Sequence, residues 1–292
     1  MDGAVTEGSS TEAGARAGWH AKLELRFEQR GTRTVLAHRK HEGPLCVQRP
    51  FYPDEDGTCH VYVLHPPGGV AGSDVLELNV GVEAGARALL TTPAATKLYR
   101  SGGETARIEQ RLTVKSGALL RWLPQETIAF DGARAEMLTR IDLEPDAHAI
   151  AWELLCLGRP VSGHPYQHGA LRTAFEVYRA GVPQVIDRAR FIGDASDPRS
   201  ALLSAPYGMR GLPVLGTLIS TGGDDATVDA LREATEARWR DSFSVTRMPS
   251  AIVCRFLGAR VEDAHNAFRC ALDVLCEQLL GGKVAQPRIW LT

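Results

Sequence analysis

A stretch rich in glycine and proline, HPPGGVAGSDVLEL at residues 65–78, decides how this chain folds. Glycine adopts positive φ angles that other residues avoid, while proline fixes φ and lacks a backbone donor. Such residues between apolar runs are typical of tight turns that connect β-strands. One acidic residue, Asp74, stands where the turn passes into the next apolar run. The stretch therefore predicts a sharply turning β structure around a single carboxylate.

Apolar and polar residues alternate on both sides of this stretch, and turn residues interrupt them roughly every eight to twelve positions. The period of two is clearest in KLELRFE at residues 22–28, as expected for a half-buried strand. Further strands are predicted at residues 34–37, 59–64, 75–80, 88–92, 106–114, 118–123, 135–143, 148–156, 173–178 and 183–191. This rhythm favours an all-β sandwich, barrel or solenoid over alternating βαβ units.

The C-terminal third has a different pattern. Residues 224–234 begin with two aspartates that can cap a helix, and residues 261–280 place apolar side chains at helical spacing before Gly281. Two short strands are predicted between them, at 241–247 and 251–257. No linker, internal repeat or low-complexity stretch is visible after residue 18. The prediction is a mainly β, solenoid- or sandwich-like single domain over residues 19–292, with two α-helices in its C-terminal third.

Composition excludes several classes of partner. The 292 residues carry a net charge of −2 and are 44% hydrophobic, so nothing indicates a nucleic-acid partner. The apolar runs are too short to cross a bilayer, so we expect no membrane partner. Residues 1–18 are small and polar, which predicts a disordered tail rather than a secretory signal. Six cysteines without metal-binding spacing indicate free thiols in a reducing cytoplasm.

The sequence lacks the common phosphate-binding loops and the nucleophile elbow, which leaves a hydrolase open without favouring it. The glycine-rich stretch matches neither common phosphate-binding loop, and a strand rather than a helix follows it. The serines near glycines do not form a nucleophile elbow. The two local histidine pairs, His38 with His41 and His164 with His168, lack further ligands at metal-binding spacing.

Carboxylates inside or beside apolar segments are the stronger chemical signal, and there are five of them: Asp74, Glu126, Asp131, Glu153 and Asp187. A carboxylate in a strand can simply face solvent, but a buried one must be paired, hydrogen-bonded, protonated or close to a cation. Arg159 and Arg188 are candidate ion-pair partners. Alternatively, a path lined by oxygen ligands could hold a divalent metal loosely, as transport requires.

Several chemically unusual stretches together resemble the UreD-type (also called UreH-type) urease accessory proteins, which are nickel-insertion factors. The resemblance runs from Trp19 to the C-terminus. The stretches that carry it are GPLCVQRPFYP (43–53), HPPGG (65–69), TPAATKLYR (92–100), WLPQETIAF (122–130), LGRP (157–160) and PRIWLT (287–292).

The resemblance implies a non-enzymatic scaffold with a β-rich, solenoid-like fold and two helices. Such proteins bind apo-urease subunits and a UreF-type accessory protein, which in turn carries a nickel-binding UreG-type GTPase. Family members are thought to pass Ni²⁺ transiently through an internal tunnel lined by acidic and polar residues, with no tightly bound cofactor. Carried over by position, the candidate nickel-path residues are Asp74, Glu153 and Asp187, followed by Glu126 and Asp131.

Two other functions remain open at this point. The chain could be a pure docking protein in which the carboxylates only form ion pairs. It could also be a β-fold enzyme acting on carbohydrate, for which a pair of suitably spaced carboxylates would be the signature.

Overall fold

The computed structural model describes residues 18–282 and 285–291, so the predicted disordered tail lies, apart from Gly18, outside the described residues. The strands are β1 (His20–Arg30), β2 (Arg33–Glu42), β3 (Cys46–Val47), β4 (Cys59–Leu64), β5 (Val75–Val82), β6 (Arg87–Thr91), β7 (Thr96–Leu98), β8 (Ala106–Val114), β9 (Leu119–Trp122), β10 (Thr127–Ala129), β11 (Arg134–Leu143), β12 (His148–Leu157), β13 (Gly169–Arg179), β14 (Val182–Gly193), β15 (Val214–Ser220), β16 (Phe243–Met248) and β17 (Ala251–Gly258). The α-helices are α1 (Ala201–Ser204), α2 (Asp225–Trp239) and α3 (Val261–Leu280), and 3-10 turns lie at Pro160–Ser162, Pro198–Ser200 and Arg288–Leu291.

Two sheets form the body of the fold. The first sheet has the strand order β14-β13-β11-β8-β5-β1-β2, and the second has β16-β17-β15-β12-β9-β6-β4-β3. From β5 to β13 the chain passes back and forth between them, adding one parallel strand to each sheet in turn. The short strands β7 and β10 pair with each other, and β10 also pairs with β12. Successive coils of this kind make a β-solenoid, which confirms the predicted fold class.

The coils repeat structurally although the sequence shows no repeat. Val75 pairs with Arg107, and Ala106 pairs with Ala135, so one coil takes about 30 residues. Each coil turns from the first sheet to the second through four residues that end in a buried alanine: 83–86, 115–118 and 144–147. In every case the alanine N–H donates to the carbonyl of the first residue of the turn. Only the turn geometry and one small residue recur, which is too little for recognition from sequence.

Alternating side chains divide the apolar residues into two cores. Between the sheets lies a first core, to which β12 contributes Ala149, Ala151 and Leu155. Between the second sheet and helices α2 and α3 lies a second core, where Trp152 of β12 meets Phe268 of α3 at a ring distance of 5.8 Å. Because successive side chains of a strand point to opposite faces, Glu153 is directed into the space between the two sheets.

The helix ends follow the sequence signals. Asp224 caps α2 by accepting a hydrogen bond from the N–H of Thr227 at 2.9 Å, and Thr227 completes a capping box. Helix α3 ends at Gly281, whose φ of 71° is left-handed. The two predicted helices are therefore confirmed. The structure adds the four-residue helix α1 and the strand β15, which had not been predicted.

The C-terminal segment closes the second core. Trp290 is buried, its ring lies 5.4 Å from that of Trp152, and its indole N–H donates to the Thr91 hydroxyl at 2.9 Å. The Thr91 hydroxyl in turn donates to the carbonyl of Leu123. The last residues are thus tied to the second sheet by packing and by a buried hydrogen bond.

Replacing Trp290 with alanine should lower the free energy of unfolding by about 3–5 kcal/mol, because the change leaves a cavity and removes the indole N–H that donates to the Thr91 hydroxyl. Urea denaturation followed by circular dichroism measures this loss. Trp19→Ala is the control, since Trp19 is 60% exposed, and it should cost less than about 1 kcal/mol. Equal losses for the two variants would contradict the assigned packing of the C-terminal segment.

Candidate functional site

A cavity of about 260 Å³ lies between the two sheets, and we call it the inner cavity. Glu153 reaches it from β12 of the second sheet, and Asp187 reaches it from β14 of the first sheet. The segment that follows β14 covers part of the cavity with Leu202 and Met209. The fold thus brings together two of the five carboxylates that the sequence had singled out.

A polar row from the second sheet faces Asp187. Thr217 pairs in register with Glu153 on one side and with Arg255 on the other. Asp187 Oδ2 accepts hydrogen bonds from Thr217 Oγ1 at 2.8 Å and from Arg255 Nη1 at 2.9 Å. The side chains of Asp187 and Arg255 are 22% and 52% exposed, so this ion pair marks the mouth of the inner cavity, where the two sheets meet solvent.

Glu153 lies deeper and has a different environment. None of the ion pairs formed by the described residues involves it, and its surroundings include Thr139 of the first sheet. Burial raises the pKa of Glu153 to about 7, the charge of Asp187 adds to this rise, and the Thr139 hydroxyl opposes it. Near neutral pH, Glu153 therefore exists in both its protonated and its ionised form.

A second cavity of about 180 Å³ adjoins the inner cavity, and we call it the outer cavity. The two share four lining residues: Thr92, Thr96, Gln110 and Trp122. The outer cavity extends to the glycine- and proline-rich turn before β5, where His65, Gly68 and Gly69 line it. The His65 Nε2 atom is buried without a hydrogen-bond partner, and burial lowers the pKa of this imidazole while the charge of Asp74 opposes the change. Together the cavities form a space between the sheets whose walls are mainly apolar, with shared polar side chains at Thr92, Thr96 and Gln110.

Asp74 lines neither cavity. Its Oδ1 accepts a hydrogen bond from the N–H of Trp19 at 2.8 Å, and its Oδ2 accepts one from the N–H of Ala71 at 2.9 Å. These bonds close the turn before β5 and hold the start of β1 beside it. Both carboxylate oxygens of this candidate are thus occupied by backbone donors.

Glu126 and Asp131 also line neither cavity. Glu126 Oε2 is 2.8 Å from His265 Nε2 of α3; burial acts to raise the pKa of Glu126, but the hydrogen bond and charge of His265 lower it overall. Asp131 pairs with Arg100 at 3.1 Å and accepts hydrogen bonds from the backbone N–H groups of Gln167 and His168. Each carboxylate ties a loop to a neighbouring element.

The ion-pair partners expected from the sequence were wrong. Arg188 pairs with Glu176 on the outer face of the first sheet, with Nε to Oε1 at 2.7 Å. The guanidinium of Arg159 lies over the ring of Phe130 at 4.7 Å. The partner of Asp187 is instead Arg255, which sequence reasoning missed. A signal was present, because Arg255 falls on the same face of its apolar strand as Ala251 and Val253.

Residues that could hold a metal tightly are not clustered. Across residues 18–282 and 285–291, no group of three or more His, Cys, Asp or Glu side chains is arranged to bind an ion. All six cysteines are free thiols. The ring of His168 contacts Asp131 at 3.1 Å. No helix within the described ranges is both long and apolar enough to cross a membrane.

The fold and site define a class: a two-sheet β-solenoid, backed by two helices, with acidic and polar side chains in an internal cavity. A family model described as UreD urease accessory protein matches residues 20–291. The chain is 45% identical to urease accessory protein UreD 2 of Brucella anthropi, over 94% of this chain and 99% of that protein. It is 40% identical to UreD of Alcanivorax borkumensis, over 97% and 96% of the two chains. The chain therefore belongs to the UreD urease accessory protein family, as its sequence had indicated.

Replacing Glu153 with glutamine should stabilise the protein near pH 8 by on the order of 2 kcal/mol. In the unfolded chain a glutamate ionises above its ordinary pKa of 4.5, whereas in the folded protein Glu153 holds its proton up to about pH 7. The wild type therefore loses stability as the pH rises between these values, and the variant avoids that loss. Urea denaturation from pH 5 to pH 8 measures the difference.

The matched control is Glu136→Gln, since Glu136 is half-exposed and pairs with Arg172 on the outer face of the first sheet. Its stability relative to wild type should not follow the same pH dependence. A gain for Glu153→Gln that stays constant across the pH range would contradict the assigned environment of Glu153.

Proposed function

We propose that this chain acts in urease maturation as a non-enzymatic scaffold that docks on apo-urease and guides nickel through the inner and outer cavities. Membership of the UreD family supports the maturation role, since the relatives are named urease accessory proteins. The observation that supports the nickel path is the meeting of Glu153 and Asp187, from opposite sheets, on one internal cavity.

The chemistry of the cavity suits a passing ion better than a stored one. Carboxylate, hydroxyl and amide oxygens bind nickel less tightly than thiolates or imidazoles do. Glu153 is partly protonated near neutral pH, and Asp187 forms an ion pair with Arg255. Nickel would have to compete with the proton on Glu153 and with Arg255 at Asp187, so it would bind in the cavity weakly and reversibly.

The order of the lining residues suggests a route. Asp187 stands at the mouth, Glu153 lies inside, and Gln110 lines both cavities. Thr92 and Thr96 continue the polar lining into the outer cavity, which ends near His65. Nickel would thus meet one carboxylate, then the second, and then neutral oxygen atoms.

The proposal extends to the partners and the compartment. The scaffold would bind apo-urease subunits and a UreF-type accessory protein, and through the latter a UreG-type GTPase that supplies the nickel. Such an assembly would work in the cytoplasm, where the six free thiols remain reduced.

The double variant Glu153→Gln with Asp187→Asn should reduce urease activation at limiting nickel by about tenfold or more, because both negative charges that attract the cation are removed. The measurement is urease activity after activation in cells that co-express the urease subunits and accessory proteins. A pull-down on the same cells should show an unchanged assembly.

The control is Glu136→Gln with Asp142→Asn, which removes two carboxylates from the outer face of β11 and should leave activation unchanged. Full activation by the cavity variant would rule out the nickel path and favour a docking protein without a metal role. Loss of the assembly in the pull-down would point to a structural role for the two carboxylates instead.

A further inference from the structure

We infer that Arg255 is the gate of the inner cavity: its guanidinium group occupies the Asp187 carboxylate at the mouth, and a divalent cation reaches Glu153 only after displacing it. The inference rests on the proposed function and adds a control point to the same path. Arg255 lies in β17, a strand that holds none of the five candidate carboxylates.

The contacts of Asp187 show what a cation must displace. Its Oδ2 atom accepts from Arg255 Nη1 at 2.9 Å and from Thr217 Oγ1 at 2.8 Å. Arg255 Nη1 also lies 3.3 Å from Thr217 Oγ1, so the three side chains form a closed set across the gap between the sheets. A metal ion that uses this oxygen as a ligand has to take the position held by the guanidinium.

Arg255 can leave without a large penalty. Its side chain is 52% exposed, so the guanidinium can move into water and remain solvated. Its backbone stays in place because β17 is paired on both sides, with β15 and with β16. After that movement Asp187 still accepts a hydrogen bond from Thr217, and its charge becomes available to a cation.

The charges around the mouth give the gate its effect. Asp187 and Arg255 neutralise each other, which leaves Glu153 as the remaining acidic group on the inner cavity. The neighbouring pair of Arg188 and Glu176 lies on the outer face of the first sheet and does not line this cavity. With Arg255 in place, the mouth is neutral and does not attract divalent cations; with Arg255 removed, the Asp187 carboxylate is unpaired and the mouth becomes acidic.

The test measures Ni²⁺ binding to the purified full-length chain by equilibrium dialysis, with thermal unfolding recorded for each variant. Arg255→Gln should bind Ni²⁺ about tenfold more tightly than the wild type, because it loses a positive charge next to the carboxylate. Arg255→Met, which keeps the unbranched stem, provides the same comparison if the glutamine variant does not fold. The matched control is Arg188→Gln, which removes the same charge one residue from Asp187 but on the outer face, and its affinity should equal that of wild type.

A double-mutant cycle tests whether Arg255 acts through Asp187. In an Asp187→Asn background, Arg255→Gln should no longer change the Ni²⁺ affinity, because the carboxylate that the arginine occupied is gone. A tenfold gain that persists in that background would overturn the gate and indicate a general effect of charge. Unchanged Ni²⁺ affinity in the single Arg255 variants would also overturn the gate. The nickel path would survive that result if the double variant of Glu153 and Asp187 still lost urease activation.

Discussion

Parallel, in-register pairing of strands that enter two sheets in turn is the constraint on which the rest of this structure depends. It directs every second side chain of each strand into one shared interior. A slip of one residue in β12 would turn Glu153 toward the helices and bring Trp152 between the sheets. The two cores, the cavities and the meeting of Glu153 with Asp187 all follow from a single register.

Local patterns were sufficient to predict most of the elements. The period of two in residues 22–28 and the helical spacing in residues 261–280 are set by neighbours in the sequence. The predicted bounds of α3 match the structure, whereas the helix predicted at 224–234 extends to Trp239. Strand β15 was missed because VLGTLIS is buried on both faces for most of its length, so it shows no alternation, and Gly216 weakens its strand signal. The two- and three-residue strands are likewise too short to carry a pattern.

The site could be predicted only in part. Glu153 and Asp187 stood out because a carboxylate in an apolar segment requires a compensating partner. Their meeting, however, depends on the register between sheets, and Arg255 reaches Asp187 from 68 positions away. Neighbouring arginines looked like natural partners, but strand alternation places Arg188 on the opposite face from Asp187. For Asp74 one contact is local, the N–H of Ala71, and its turn was therefore predictable from sequence; the other, the N–H of Trp19, comes from 55 positions away and was not.

The two carboxylates of the inner cavity differ in a way that would give the proposed nickel path a direction. Glu153 cannot turn away, because its neighbour Trp152 is held in the second core by Phe268 and by a 2.7 Å hydrogen bond from its indole to the carbonyl of Pro124. Its charge is met in place, in part by the Thr139 hydroxyl and otherwise by a proton or a cation. Asp187 lies on the edge strand of the first sheet, and its partner is half exposed and free to move. A metal ion that arrives at the mouth would displace the Arg255 guanidinium from Asp187. A metal ion farther inside would displace the proton from Glu153. At each step a divalent ion replaces a singly charged partner, the Arg255 guanidinium or a proton, so neither carboxylate has to stand ionised and unpaired in the interior.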